Sequence, residues 1–415
     1  MHHSRIRLAD LDQANILEVD VADEVLRQNA LSLMADWVTR KPLYCVRRGL
    51  AAVICARAKD VSEVLMDDGQ RFSVVAPKIE GYEIFDLFGG VESVLQMDGA
   101  RHSRIRGLMQ PAFTPRAVNA LLGAIQQIVT DKIDAIERGS GFFDAMGDFC
   151  DDIITRVMLD ATLQLTPPQQ QAFTRVHNSF PLIMGIAPGE AYPEEYVEAG
   201  RALHQAVLEI IEEKRRHPRE DFISNLVTAR DGNDDKLSDE ELVNQIYAVC
   251  AAAQGATAAS LGAALLNLGR HPDQFDSLKR DPALVDSALE ECLRYQSSGF
   301  LIFPRFATTD TEVGGVAIPK HMPVYVSAQA ANFDPEKFPD PLRFDIRRNP
   351  QRIFTFGSGA HSCIGMRMAR LVMRISLLSL MQRFPRLGLV DLDFEPVYGG
   401  NFSELSPLTI PMRTH

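Results

Sequence analysis

One cysteine, Cys363, lies in the run Phe354-Thr-Phe-Gly-Ser-Gly-Ala-His-Ser-Cys-Ile-Gly365, which reads F-x-x-G-x-x-x-C-x-G from Phe356 through Gly359 and Cys363 to Gly365. A thiolate in a glycine-rich loop suits presentation to a metal. Glycines such as Gly357 and Gly365 let backbone approach a flat cofactor where a Cβ would collide. Apolar periodicity predicts a helix over residues 364–383, and the free N–H groups at its start favour an anionic sulfur. Two plainer readings compete: a packed, unreactive thiol, or a phosphate cradle built on Gly357-x-Gly359. The cradle fingerprint needs a third glycine at position 362, where Ser362 stands. Neither accounts for Phe356 and His361 flanking the loop.

Other residues could work with that loop. Glu291 and Arg294 are three apart on a predicted helix, so they share a face and can pair. Asp281-Pro282 offers that helix an N-cap and a proline at its first position. Cationic or donor groups recur at His102 and Arg106, in Met97-Asp-Gly-Ala-Arg-His-Ser-Arg-Ile-Arg106, at Arg305 after Pro304, and at His361. Each alone reads as a solvated charge.

The Cys363 run resembles the heme-binding signature of the cytochromes P-450, the heme-thiolate monooxygenases, and the other motifs follow in that family's order. The matching stretches extend from about residue 98 to about residue 370. The resemblance implies a mainly α fold with a small β region, in which residues 1–415 form a single domain. It implies heme b with Cys363 as axial thiolate, heme propionates bound by His102, Arg106, Arg305 and His361, and a buried scaffold of Glu291, Arg294 and Arg343. Arg343 is assigned from Phe338-Pro-Asp-Pro-Leu-Arg-Phe344. The implied activity is oxidation of an apolar small molecule of secondary metabolism by dioxygen, with electrons from a separate ferredoxin and its reductase. The pocket is expected around Val75, Ile84, Phe85, Leu87, Phe88, Phe300, Leu301, Ile302, Phe402 and Leu405. Glu404, if it faces inward, could pair with a cationic substrate group.

One departure stands out. The family's long distal helix carries an acid followed by a threonine, which supply protons during oxygen activation. Here the stretch is Ala251-Ala-Ala-Gln-Gly-Ala-Thr257. Counting from either end of the helix puts Gly255 at the acid and Ala256 at the threonine. Thr257 falls one residue late, a rotation of about 100°, unless a helical bulge corrects it. Gln254 with ordered water could relay protons instead. Three alternatives follow: a peroxygenase, a reductase or isomerase, or a catalytically silent heme protein that senses or recruits.

The elements that must carry these residues are readable in outline. A helix is expected over residues 22–38, and a strand pair over 42–55 with a turn at Arg48-Gly49. Residues 72–95 read as an irregular stretch and 186–193 as a loop. Gly314-Gly315 reads as a tight turn between short strands. Ser238-x-x-Glu241 is a capping box that opens a helix reaching about residue 269.

Composition sets bounds. The chain has 415 residues, 46% hydrophobic and 24% charged, with net charge −12. That acidity argues against nucleic acid as a partner. The six cysteines show no C-x-x-C spacing, and five are expected to be reduced packing residues. With no membrane anchor and no apolar signal segment at Met1, the expectation is a cytoplasmic monomer. Arg104, Arg106, Arg367 and Arg370 could form a local basic patch for an acidic electron donor.

Overall fold

The computed structural model describes residues 11–20, 26, 28–47, 50–79, 92–184, 191–230, 235–399 and 404–415. Helices dominate, as expected of a mainly α protein with a small β region. The main sheet has six strands in the order β1 (Ile16–Asp20), β2 (Leu43–Arg47), β3 (Leu50–Cys55), β9 (Pro323–Val326), β6 (Ile302–Ala307) and β4 (Phe72–Ser73). Every residue of β3 is buried, which suits its run of apolar residues. The pair β7 (Thr311–Val313) and β8 (Val316–Ile318) closes on Gly314 and Gly315, with φ of +57° and +80°, as a tight two-residue hairpin requires.

Four helices frame the site. They are α1 (Gly99–Met109), α2 (Asp239–Arg270), α3 (Val285–Tyr295) and α4 (Met366–Arg383). The capping box forms as the sequence predicts: Ser238 Oγ accepts from Glu241 N (3.1 Å), and Ser238 N donates to Glu241 Oε2 (3.0 Å). From there α2 runs 32 residues without a break, about 48 Å at the α-helical rise. By length and composition it is the one helix among the described residues that could cross a membrane, yet most of its apolar stretch is buried inside the domain. No bulge interrupts it, so the rescue considered for Thr257 does not occur.

The core divides around α2. Its residues 242–250 join one apolar cluster with Trp37, Ile105, Phe300 and Leu405. Its residues 258–268 join a second with Leu289, Met373 and Leu377. Between them, residues 251–257 are small or polar, and Ala252 is exposed in the middle of a domain-crossing helix. Such a stripe is the wall of a cleft rather than a packed interface.

Some boundaries shift. The first predicted helix is observed over Ala30–Trp37, with most of residues 21–27 outside the described set. Asp281 caps a short 3-10 turn, Pro282–Leu284, which then leads into α3. The turn at Arg48-Gly49 and most of the loop over 186–193 lie outside the described residues.

Candidate functional site

The Cys363 loop is held by backbone. Cys363 N donates to Phe356 O (2.8 Å) and Gly357 N to Phe354 O (2.8 Å). Gly359 has φ +71°, and a Cβ there would stand 2.3 Å from Leu65 O. Only glycine fits that conformation and that close approach. The following helix starts at Met366, two residues later than expected. Cys363 is the exposed cysteine; the other five are buried, their thiols pushed up by burial. Surrounding protein raises the Cys363 thiol too. The Gly365 N–H, Arg106, Arg370 and the Met366 N–H pull the other way, the direction a metal-bound thiolate needs. Arg370 lies over the Phe356 ring at 4.4 Å and is paired with Glu290 (2.9 Å).

A cluster of cationic and ring nitrogens lies beside the loop. The His102 and His361 rings stack at 4.1 Å. His102 Nε2, His361 Nε2 and Arg305 Nε are all buried without a hydrogen-bond partner. His361 Nε2 stands 3.4 Å from Asp98 Oδ1, close enough for attraction but without hydrogen-bond alignment. Burial, then the neighbouring His361 and Arg106, pushes His102 down to about 4. Burial also lowers Arg305. Asp98 is lowered despite its burial, because His361, Ser73 and the Val74 N–H hold its carboxylate. Arg106 Nη2 donates to Ser362 O (2.6 Å), tying α1 to the cysteine loop. Buried nitrogens without acceptors are costly. Three of them beside an available thiol fit a group that brings both a metal and carboxylates, as heme does.

The Glu291–Arg294 pair is fully buried. Arg294 Nε donates to Glu291 Oε2 (2.7 Å) and Nη2 to Oε1 (2.8 Å), while Nη1 reaches Asn332 O (2.9 Å) and Pro341 O (2.8 Å). The third member is a correction. Arg343 is 68% exposed in its side chain and offers only its carbonyl. Arg348 instead donates to Glu291 Oε1 (3.2 Å), and its Nη2 reaches Asp340 O and Arg343 O (both 2.9 Å). The backbone turns at Asp340, with φ +50°, and leaves Arg343 facing water.

The distal stretch differs from a bare run of alanines. A Cβ on Gly255 would stand 2.7 Å from Glu404 Oε1 and 3.1 Å from Oε2. Ser260 Oγ donates to Ala256 O (2.8 Å), and Gln254 is buried. The pocket expectation is corrected in part. Phe300, Leu301 and Leu405 are enclosed in the core, with Phe300 against Trp37 at 6.0 Å between ring centroids. Val75 is 49% exposed, and Ile302 is half-buried. Ile84, Phe85, Leu87, Phe88 and Phe402 lie outside the described residues.

Comparison with known proteins agrees with this geometry. The model of the family Cytochrome P450 matches residues 38–281 and 281–387. The chain belongs to the cytochrome P450 family. It is 33% identical over 297 residues to the 6-deoxyerythronolide B hydroxylase of Saccharopolyspora erythraea, covering 71% of this chain and 72% of that protein. It is 32% identical over 301 residues to the mycinamicin IV hydroxylase/epoxidase of Micromonospora griseorubida, covering 72% and 74%. The solved structure of the bacillaene polyketide synthase cytochrome P450 PksS of Bacillus subtilis 168 superposes with a TM-score of 0.85 at 25% identity, covering 95% and 99%. As a cytochrome P450 the protein is a monooxygenase that carries heme b on a cysteine thiolate.

Proposed function

We propose that this cytochrome P450, as one domain over residues 1–415, oxidises an apolar small molecule held between the cysteine loop and α2. The carrying observation is Cys363: the exposed thiol among six cysteines, in a loop with opposing N–H groups and cations. Cys363 is the axial ligand in this reading. His102, His361 and Arg305 supply the partnerless nitrogens that receive the propionates, and Arg106 fixes the loop from α1. Bound heme on a thiolate supplies oxygen activation, because thiolate ligation favours O–O cleavage. The chain's own residues orient and enclose. Residues 251–257 keep side chains small along the cleft, and Glu291, Arg294 and Arg348 hold the segment that precedes the cysteine loop.

The substrate class rests on the wall: alanine, glycine and half-buried Ile302 offer apolar contact. Hydroxylation or epoxidation is the reaction for which these two relatives are named. Electrons come from a separate ferredoxin and reductase. Of the four arginines considered for docking, Arg104 is engaged with Glu241 and Lys236 O, Arg106 with Ser362 and Arg370 with Glu290, which leaves Arg367 as the exposed one. The site of action is the cytoplasm, and the working unit is a monomer.

Titration of the ferric protein with apolar metabolites, followed at the Soret band, tests the reading. A ligand that drives iron to high spin and is then oxidised with ferredoxin, reductase and dioxygen supports it. Turnover with peroxide alone, and none with the electron-transfer pair, would replace it with a peroxygenase reading, for which Ala256 in the threonine position is the supporting observation.

A further inference from the structure

The carboxyl of Glu404 comes from outside the long helix and stands against it. Its backbone is fixed by a bridge to Gly299, and Leu405 N donates to Ser298 O (2.7 Å). Beyond it, β12 (Ser406–Pro407) pairs with β11 (Tyr398–Gly399). This hairpin carries the side chain to Gly255, and Gly255 is the residue that admits it. A Cβ at 255 would fall 2.7 Å from Oε1, so the carboxyl would have to swing aside from its present position. The glycine leaves the space in which the carboxyl stands.

Among the described residues, the charge that acts on that carboxyl is the negative one of Asp151. On α2, no ionisable acid or base except Tyr247 and Cys250 occurs between Glu241 and Arg270. The segment from Gln296 to Pro304 and the segment from Leu405 to Met412 carry no charged residue either. The carboxyl makes no hydrogen bond or ion pair among the described residues. Loss of water and the negative charge of Asp151 both favour its protonated form, and raise its pKa to about 7. A carboxyl of that kind gains or loses a proton near neutral pH, as an acid catalyst must.

We propose that Glu404 is the proton-holding acid of the distal face, supplied by the C-terminal hairpin in the place where Gly255 has left the helix without one. The inference rests on the monooxygenase reading above. In the step assigned to it, the O–H bond of the carboxyl breaks and the electron pair stays on Glu404. The proton passes to an oxygen atom of the dioxygen being reduced, and bulk water restores it. Two electrons from the donor protein and two protons account for one oxygen atom leaving as water and one entering the substrate. Glu404 acts from outside the helix, so Ala256 and the displaced Thr257 are not needed as the source of the proton.

Three variants of the heme-loaded protein test this, each first shown to keep the thiolate-type spectrum of its reduced carbon monoxide complex. In the ferric wild type, the infrared carbonyl stretch of a protonated carboxyl should titrate away around pH 7, and it should be missing from Glu404→Gln. With a turned-over substrate, Glu404→Gln should bind it about as tightly by spectral titration. Its rate of product formation should fall on the order of a hundredfold, with electrons diverted to peroxide. Glu404→Ala should behave alike, and Glu404→Ala/Gly255→Glu, which returns a carboxyl to the same place from the helix, should recover product per electron. An infrared spectrum unchanged by Glu404→Gln would overturn the proposal. So would unchanged coupling, or a loss of substrate affinity with coupling intact, which would make Glu404 a ligand anchor. Failure of the wild type to oxidise any bound ligand sinks the monooxygenase reading instead, and the infrared result still decides whether Glu404 holds the proton.

Discussion

Gly359 shows how closely single residues are constrained here. Its φ is +71° and the space beyond its Cα is filled by Leu65 O at 2.3 Å from a would-be Cβ. Gly359→Ala should therefore cost about 1–3 kcal/mol from backbone strain alone, with further loss from the collision. Urea unfolding should show the drop, and heme content should fall with it. Glu404 makes a prediction of a different kind. Its pKa rises from 4.5 to about 7 on folding, so the folded state binds the proton more tightly. That contribution to stability is complete below about pH 4.5 and is lost as pH rises to about 7. Glu404→Gln should remove this part of the pH dependence, seen as a difference between the two stability curves that changes across that window. What the sequence made legible at this scale follows from how local each signal is. Cys363, Gly359 and Phe356 lie in one short pattern. The meeting of Gly255 with Glu404 depends on a hairpin returning from the end of the chain, which no spacing encodes. Phe300 and Leu301 read as pocket walls, but the bend that precedes the strand Ile302–Ala307 turns them into the core, with Phe300 beside Trp37.

Elements decide which member of a motif does the work. The helix α3 places Glu291 and Arg294 three residues apart on its buried face, and that much is readable from the sequence. Their third partner sits in an irregular segment, where the direction of a side chain depends on turns such as that at Asp340. The family resemblance pointed to Arg343 within residues 338–344, whereas the contact comes from Arg348, just beyond that segment. Because Arg348 is 15% exposed and bonded to a fully buried Glu291 that Arg294 still pairs, Arg348→Ala should destabilise by about 1–3 kcal/mol. Arg343→Ala should stay within about 0.5 kcal/mol, as for other surface changes. Chemical denaturation of the two variants side by side would show the contrast. The long helix was legible at both ends, through the Ser238–Glu241 capping box and the Arg270-His271-Pro272 exit. Its middle was legible as small residues, and their accessibility is what marks them as a cleft wall.

At the scale of the molecule, two apolar clusters meet along α2 and the site lies where they part. Helix, cysteine loop, α1 and the C-terminal hairpin all converge there. A ligand bound at that junction touches elements of both clusters and so stabilises the whole domain. Removal of heme should lower the melting temperature and leave His102, His361 and Arg305 more mobile, measurable by calorimetry and by hydrogen exchange in α1. The overall class was legible because motifs fell in one order along the chain. The substrate was not, because the stretch expected to cover the pocket has no periodic pattern. The central claim is that Cys363 carries the heme iron as a thiolate. It is tested most directly by the absorption spectrum of the reduced carbon monoxide complex of the wild type beside Cys363→Ala. The account predicts the thiolate-type band in the wild type and its loss in the variant; the same band in both would contradict it.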